Sequence, residues 1–264
     1  MKSLELNPSQ LEHFIMQRYN IFLLLFILWI PPTFADQKTT DIVRAAINHW
    51  RDVSSYSVSD MIIHRPNWQR TMTLRVWTLG MKNSLVRVVK PKKDKGNANL
   101  IKNDEMWSFS PKTSRVIKIP SSMMSQSWMG SDFSNNDVAK ADDLLKHYTH
   151  TLKGSETSYG HKVFIIEAIP NEDAPVVWGK EVIKVRADFI VLEHNFYDQD
   201  NVLVKKMITR DIKEMGGKLI ATVQRMQKFA NPQEWTEFVV TEAKFKINVS
   251  ERTFSLSNLR NPRN

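Results

Sequence analysis

His147 and His150 stand three residues apart behind Asp142 and Asp143, so one short stretch offers both imidazole nitrogen and carboxylate oxygen, the donors a zinc site would use. The stretch is polar, close to an expected helix end and flanked by Lys146 and Lys153, so a solvated helix end is the plainer reading and no metal site is assigned. His49, His64, His161 and His194 are scattered, and no HExxH, GxSxG, P-loop or GxGxxG pattern occurs. Asp173, Asp188, Asp198, Asp200 and Asp211 fall mostly in turns or at strand ends, where local hydrogen bonding accounts for them. With no activated group in view, we expect no enzyme, no catalytic residue and no cofactor. The chain has no cysteine, which excludes disulfides, thiolate metal sites, a thiol nucleophile and lipid attachment at a cysteine behind an export signal.

The chemistry on offer is apolar. Setting aside Trp29, Met1 and Met16, seven Trp and ten Met remain, several in turns or on strand faces whose other side is also apolar. Two-sided apolarity fits helices packed on a sheet, or a cavity inside a curved sheet, the arrangement by which β-barrels and half-barrels hold lipophilic ligands. The segment from Ser121 to Tyr148 is the most unusual: Met123, Met124, Trp128, Met129 and Phe133 place adaptable or aromatic side chains among Ser and Gly. It reads either as a lid or lip over a hydrophobic cavity or as a core-covering loop, with Gly130 permitting a turn and Asn136 capping a helix that carries Val138, Ala141, Leu144 and Leu145 on one face.

The elements that position these residues are mostly strands. A helical pattern runs from an N-cap at Thr40 through Val43, Ala46, Ile47 and Trp50. The period then changes to two: Tyr56 to His64, Arg70 to Thr78, Lys82 to Lys90, Glu105 to Ser110, Arg115 to Ile119, Lys162 to Ile169, Lys180 to Arg186, Ile190 to Tyr197, Val202 to Ile212, Lys218 to Phe229 and Thr236 to Ile247. Leu100 to Lys102 is too short to count, and Gly154 and Gly160 bracket a polar turn. Met72, Leu74 and Val76 share one face of their strand while Thr71, Thr73, Arg75 and Trp77 share the other, as in a half-buried antiparallel sheet. The expectation is a mainly β (α+β) fold, an open antiparallel barrel of about eleven strands plugged by helices.

Ile21 to Ile30 is a ten-residue apolar run, too short to span a bilayer and right for a signal-peptide core, with Arg18 before it and Pro31 and Pro32 after it. Residues 1–35 are expected to be removed by cleavage after Ala35, leaving one domain over residues 36–264; Met16 gives a more ordinary signal than Met1. The net charge of +9 favours anionic surfaces, but the basic residues mostly alternate along strands, and the densest run, Lys90 to Lys95, reads as a solvated turn, so nucleic acid is not expected as a partner.

The order of motifs resembles the outer-membrane lipoprotein-sorting proteins of the LolA-like type from Gram-negative bacteria, over about Asp41 to Pro262. It is carried by Tyr56 to Met61, Pro91 to Leu100, Met106-Trp107 with Phe109-Ser110-Pro111, Val116 to Ile119, and above all Trp128-Met129-Gly130-Ser131-Asp132-Phe133 with Asp137. Phe196-Tyr197-Asp198, Lys205-Lys206-Met207 and Phe254 to Leu259 follow in order. The resemblance implies an unclosed half-barrel with helices over its concave face, a cavity for acyl chains of a lipid or lipoprotein, and a periplasmic carrier working beside a resistance-nodulation-division type exporter with transient membrane contact. Candidate cavity or lip residues are Met72, Leu74, Val76, Trp107, Phe109, Trp128, Met129 and Phe133, with Lys92, Lys93 and Lys95 facing anionic headgroups or membrane. The alternatives weighed are a periplasmic sensor or scaffold that binds a protein partner on the same fold, and a hydrolase built on His147, His150 and nearby Asp.

Overall fold

Alternation of apolar residues governs the architecture. In a computed structural model, which describes residues 34–140 and 142–262, the strands form one antiparallel sheet in the order β6-β5-β4-β3-β2-β1-β13-β12-β11-β10-β9-β8-β7. The strands are β1 (Ser54–Arg65), β2 (Trp68–Leu79), β3 (Asn83–Lys90), β4 (Ala98–Lys102), β5 (Glu105–Ser110), β6 (Arg115–Lys118), β7 (Tyr148–Ser158), β8 (His161–Pro170), β9 (Lys180–Arg186), β10 (Val191–Tyr197), β11 (Leu203–Met215), β12 (Lys218–Lys228) and β13 (Trp235–Phe245). Helix α1 is Phe34–Arg51, α2 Asn135–Ala139, α3 Asp143–Lys146 and α4 Leu256–Arg260. The expected signal segment lies outside the described residues, except that Phe34 and Ala35 open α1.

Thirteen strands stand among the described residues where eleven are expected. β4 is a full strand of five residues, and β7 takes the stretch read as a polar turn. Its sequence hides it because β7 is an edge strand, largely exposed beyond His150, so its outward positions carry Thr, Lys, Ser and Glu. α1 begins six residues before Thr40, whose hydroxyl lies 3.0 Å from His150 Nδ1 instead of capping. His150 is accordingly 1% exposed, not solvated.

β1 and β13 pair directly, Met61 lying opposite both Met72 and Phe238, so the sheet grows outward from its first and last strands to free edges at β6 and β7. Met61, Ile63, Met72, Leu74, Val86, Val88 and Met106 form the core of one face. Burial of each such side chain contributes about 1.5–3 kcal/mol. Intervening residues point the other way: Leu85, Leu100 and Phe109 pack under Phe254 and Leu259 of the C-terminal segment. That segment is held by Arg87, whose guanidinium donates to the carbonyls of Asn258 (2.9 Å) and Leu259 (3.2 Å).

Candidate functional site

The connection from β6 to β7, residues 119–147, must pass from one free edge of the sheet to the other, and it does so across the core face. Three polar latches fix its path. Arg65, ending β1, grips Asp132 with two parallel hydrogen bonds of 3.0 and 3.1 Å. Thr236 of β13 completes the joint, its hydroxyl donating to Asp132 Oδ2 (2.7 Å) and accepting from the Asp132 amide (3.0 Å). Further on, Lys205 of β11 reaches Asp137 Oδ2 (2.5 Å), its ammonium lying 4.9 Å over the rings of both Trp178 and Phe196. Lastly, Lys146 bridges Asp142 (2.6 Å) and Asp104 (3.1 Å) in the β4–β5 turn.

Between the latches, apolar side chains enter the face. Trp128 is 3% exposed, donates its indole N–H to Asn99 Oδ1 (3.0 Å) and stacks on Phe238 (6.3 Å between centroids); Phe133 meets the same ring edge-on at 5.0 Å. Met129 (φ 52°) and Gly130 (φ 79°) turn the chain back through left-handed backbone to present Asp132 to Arg65. Ser134, not Asn136, caps the next helix: its side chain accepts from the Asp137 amide and Asp137 accepts from the Ser134 amide. The expected single helix is two, α2 ending at Ala139 and α3 starting at Asp143; Ala141 lies outside the described residues.

Beneath this connection and α1 lies a cavity of about 380 Å³, within the usual range for small-molecule sites. Its walls include Val43, Ala46 and Ile47 of α1, Phe133, Val138 of α2, Ile183 and Val185 of β9, and Phe196 of β10, with the half-exposed Trp50 and Phe189 at its rim. A second cavity of about 190 Å³ shares Trp50, Arg51, Val138, Ala221 and Gln224 with the first, so the two form adjoining compartments of one trough. Of the candidate residues, Phe133 lines the larger compartment, while Leu74, Val76 and Trp128 line the smaller. Met72 is sealed in the core and Met129 packs against it. Trp107 and Phe109 belong to the opposite face, under the C-terminal segment, because Met106 is the residue of β5 in phase with Met72. Lys92, Lys93 and Lys95 are exposed in the β3–β4 turn, at the other end of β3 from the β2–β3 turn that Arg51 grips.

One wall of the larger compartment is polar. His194 Nε2 lies 2.5 Å from Glu181 Oε2, and its ring stacks on Phe196 at 4.1 Å. Tyr148 also hydrogen-bonds Glu181; burial, then the Glu181 charge, pushes its hydroxyl far above the usual phenol range, so it stays protonated. Asp143 and Lys140 complete this wall. The sequence reading leaves Glu181 unnamed and sets His194 aside as scattered, although both fall in phase with apolar neighbours, Glu181 with Ile183 and Val185, His194 with Phe196. Among the described residues no group of three or more His, Cys, Asp or Glu is placed to hold a metal ion, and no helix is long and apolar enough to cross a membrane.

The unclosed antiparallel sheet strapped across its core face is a fold shared with known proteins. The resemblance to solved structures is extensive. A DUF1329 family protein from Desulfovibrio piger aligns with a TM-score of 0.77 at 24% identity, covering 86% of this chain and 100% of that one. A putative outer membrane lipoprotein-sorting protein domain from Vibrio parahaemolyticus gives 0.74 at 23%, covering 85% and 99%. A LolA superfamily protein from Nitrosomonas europaea gives 0.68 at 20%, covering 82% and 97%. Residues 80–261 match a family model whose description reads "Uncharacterized protein", and the chain belongs to that family. No curated protein matches it.

Proposed function

We propose that the protein is a carrier that shields the acyl chains of a lipid or lipoprotein in the two-compartment trough. The observation that carries this reading is the apolar cavity of about 380 Å³ under α1 and the crossing connection, which shares Val138 and Gln224 with a second compartment beside it. Each methylene buried contributes about 0.8 kcal/mol, so a long chain of about fifteen methylenes contributes about 12 kcal/mol, which leaves micromolar affinity after a loss of about 4 kcal/mol in freedom on binding. Adjoining compartments of unequal size suit an amphiphile with more than one chain. The sorting function named for the Vibrio neighbour is consistent with such a cargo.

In this reading residues 1–35 are a signal peptide, residues 36–264 act as one domain in the periplasm, and the cargo is handed over by an envelope exporter of the resistance-nodulation-division type. Leu74, Val76, Trp128 and Phe133 contact cargo, whereas Met72, Met129, Trp107 and Phe109 support the walls. Native mass spectrometry of the protein purified directly from an envelope extract, together with displacement of a fluorescent fatty acid, tests the proposal. Co-purified lipid and saturable binding are expected; a lipid-free protein that binds no fatty acid, alcohol or amine of any chain length refutes it.

A further inference from the structure

The larger compartment is not uniformly greasy, and its polar wall has a definite chemical sense. Of its carboxylates, Asp137 is neutralised by Lys205 on the far side of α2, which leaves Glu181 and Asp143. Glu181 is 5% exposed and is bonded by His194 and the Tyr148 hydroxyl. Asp143 is 8% exposed, and its Oδ2 is buried without a hydrogen-bond partner. The nearest ammonium, that of Lys140, stands 3.6 Å from that oxygen, and His147 Nε2 lies 3.9 Å from the other. Burial raises the Asp143 carboxyl above the usual carboxylate range, as it does for an acid lacking full compensation.

Of the Lys and Arg side chains lining this compartment, Lys140 faces Asp143 and Arg51 is committed elsewhere. Arg51 lines both compartments, but its guanidinium donates to the carbonyls of Gly80 (3.1 and 3.2 Å) and Asn83 (3.2 Å), fastening the end of α1 to the β2–β3 turn. Tyr148, Glu181 and Asp143 all line this compartment. Apart from the Lys140 ammonium, which already faces Asp143, that wall presents acceptors, namely the Asp143 oxygen without a hydrogen-bond partner, the carboxylate of Glu181 and the lone pairs of the Tyr148 oxygen, inside an apolar chamber.

We infer that the cargo of this compartment is an amphiphile whose head group is a hydrogen-bond donor, a hydroxyl or an ammonium, seated against Glu181 and Asp143. This rests on the carrier reading and deepens it. A donor head satisfies the stranded Asp143 oxygen and, as an ammonium, neutralises buried negative charge. A carboxylate head adds another anion where water is scarce and like charges repel strongly.

The test is displacement of the neutral probe N-phenylnaphthylamine from the delipidated chain by dodecylamine, dodecanol and dodecanoate at neutral pH, three ligands with one chain length and different heads. Dodecylamine and dodecanol are expected to displace at concentrations about 10- to 100-fold below dodecanoate, the range for hydrogen bonds to charged groups. The ammonium and hydroxyl arms show which donor the wall prefers. In Glu181→Gln, which keeps the shape and removes the charge, the dodecylamine advantage over dodecanoate narrows by at least about tenfold. Asp143→Asn on the short α3 gives the same readout if Glu181→Gln does not fold. Dodecanoate binding as tightly as dodecylamine, or an unchanged ranking in a folded variant, overturns the inference while leaving the carrier reading intact. Failure of all three ligands, with no lipid on the protein taken from envelope extract, removes both.

Discussion

Replacing Arg65 by Met tests whether the crossing connection is held by its ion-pair latch. The Asp132 side chain is 0% exposed and that of Arg65 14%, so the pair is desolvated; truncating one partner of such a pair costs about 3–5 kcal/mol, against about 0–1 for an exposed bridge. Thr236 would still donate to Asp132 Oδ2, but the other carboxylate oxygen would lose its 3.1 Å partner and be left unpaired in the core. For a domain of this size each kcal/mol moves the midpoint by about 2–4 °C, so Arg65→Met is expected to melt roughly 6–20 °C below the parent. Urea unfolding followed by Trp fluorescence gives the same quantity at constant temperature.

The double variant Arg65→Met with Asp132→Asn separates the latch from mere packing loss, since the neutral amide no longer needs a cation. It should recover at least about 2 kcal/mol relative to the sum of the single changes. A loss of about 1 kcal/mol or less in Arg65→Met, or strict additivity in the cycle, would mean that apolar contacts of Trp128 and Phe133 alone hold the connection, and the latch argument would be wrong.

Gly216→Ala is expected to cost more than Gly217→Ala: both sit at positive φ, costing about 1–3 kcal/mol for a side chain, but a Cβ at Gly216 would come within 2.8 Å of Ala243 O and the Phe245 ring while Gly217 faces open space. Equal urea midpoints would count against this. His150 is held below the usual imidazole range first by burial, so the folded state binds fewer protons than the unfolded chain; its contribution is complete above about pH 6.5 and is lost as pH falls below that. Urea midpoints should therefore decline on acidification, and His150→Phe should flatten the decline; a parallel slope in the variant assigns it to another group. Val138→Trp, placed where the two compartments meet, should weaken probe binding by about tenfold or more while the fold survives, and unchanged binding would show that ligand does not occupy the junction. Because the chain has no cysteine, Phe189→Cys and Lys93→Cys can each be labelled with a bulky maleimide; only the label at the Phe189 rim should slow ligand uptake, and slowing from Lys93 would relocate the entrance.

Strand periodicity was readable wherever one face is buried. Met72, Leu74 and Val76 announced β2 because their alternation is enforced by a core on one side and water on the other. β7 was not readable, since an edge strand lacking a covered outer face has no reason to alternate cleanly. Trp107 and Phe109 show a different limit: alternation puts them on the same face as each other, but nothing in β5 alone tells which face the crossing connection covers, and the C-terminal segment with Phe254 and Leu259 claims theirs from more than a hundred residues away. The helix start at Ser134, two residues before the Asn136 cap expected from the sequence, is legible as a Ser-x-x-Asp box ending at Asp137. Glu181 could be seen as a carboxylate in an apolar phase, yet its partners His194 and Tyr148 come from other strands, and only the register brings them to it.

That the sheet stays open follows from the same connection. Closing it would require β6, four residues long, to pair with β7, eleven residues long, and the chain between them would have to leave the core face. Instead residues 119–147 cover that face with Trp128, Phe133 and Val138, anchored to β1, β13, β11 and the β4–β5 turn. Short helices and irregular backbone fill the sheet face less completely than a paired strand would, and the unfilled volume is the trough. The latches fix where the connection crosses, so the void is a feature of the resting fold and its polar wall is assembled in advance of any ligand. On the proposed carrier reading, binding energy goes into holding the cargo and not into ordering a lid.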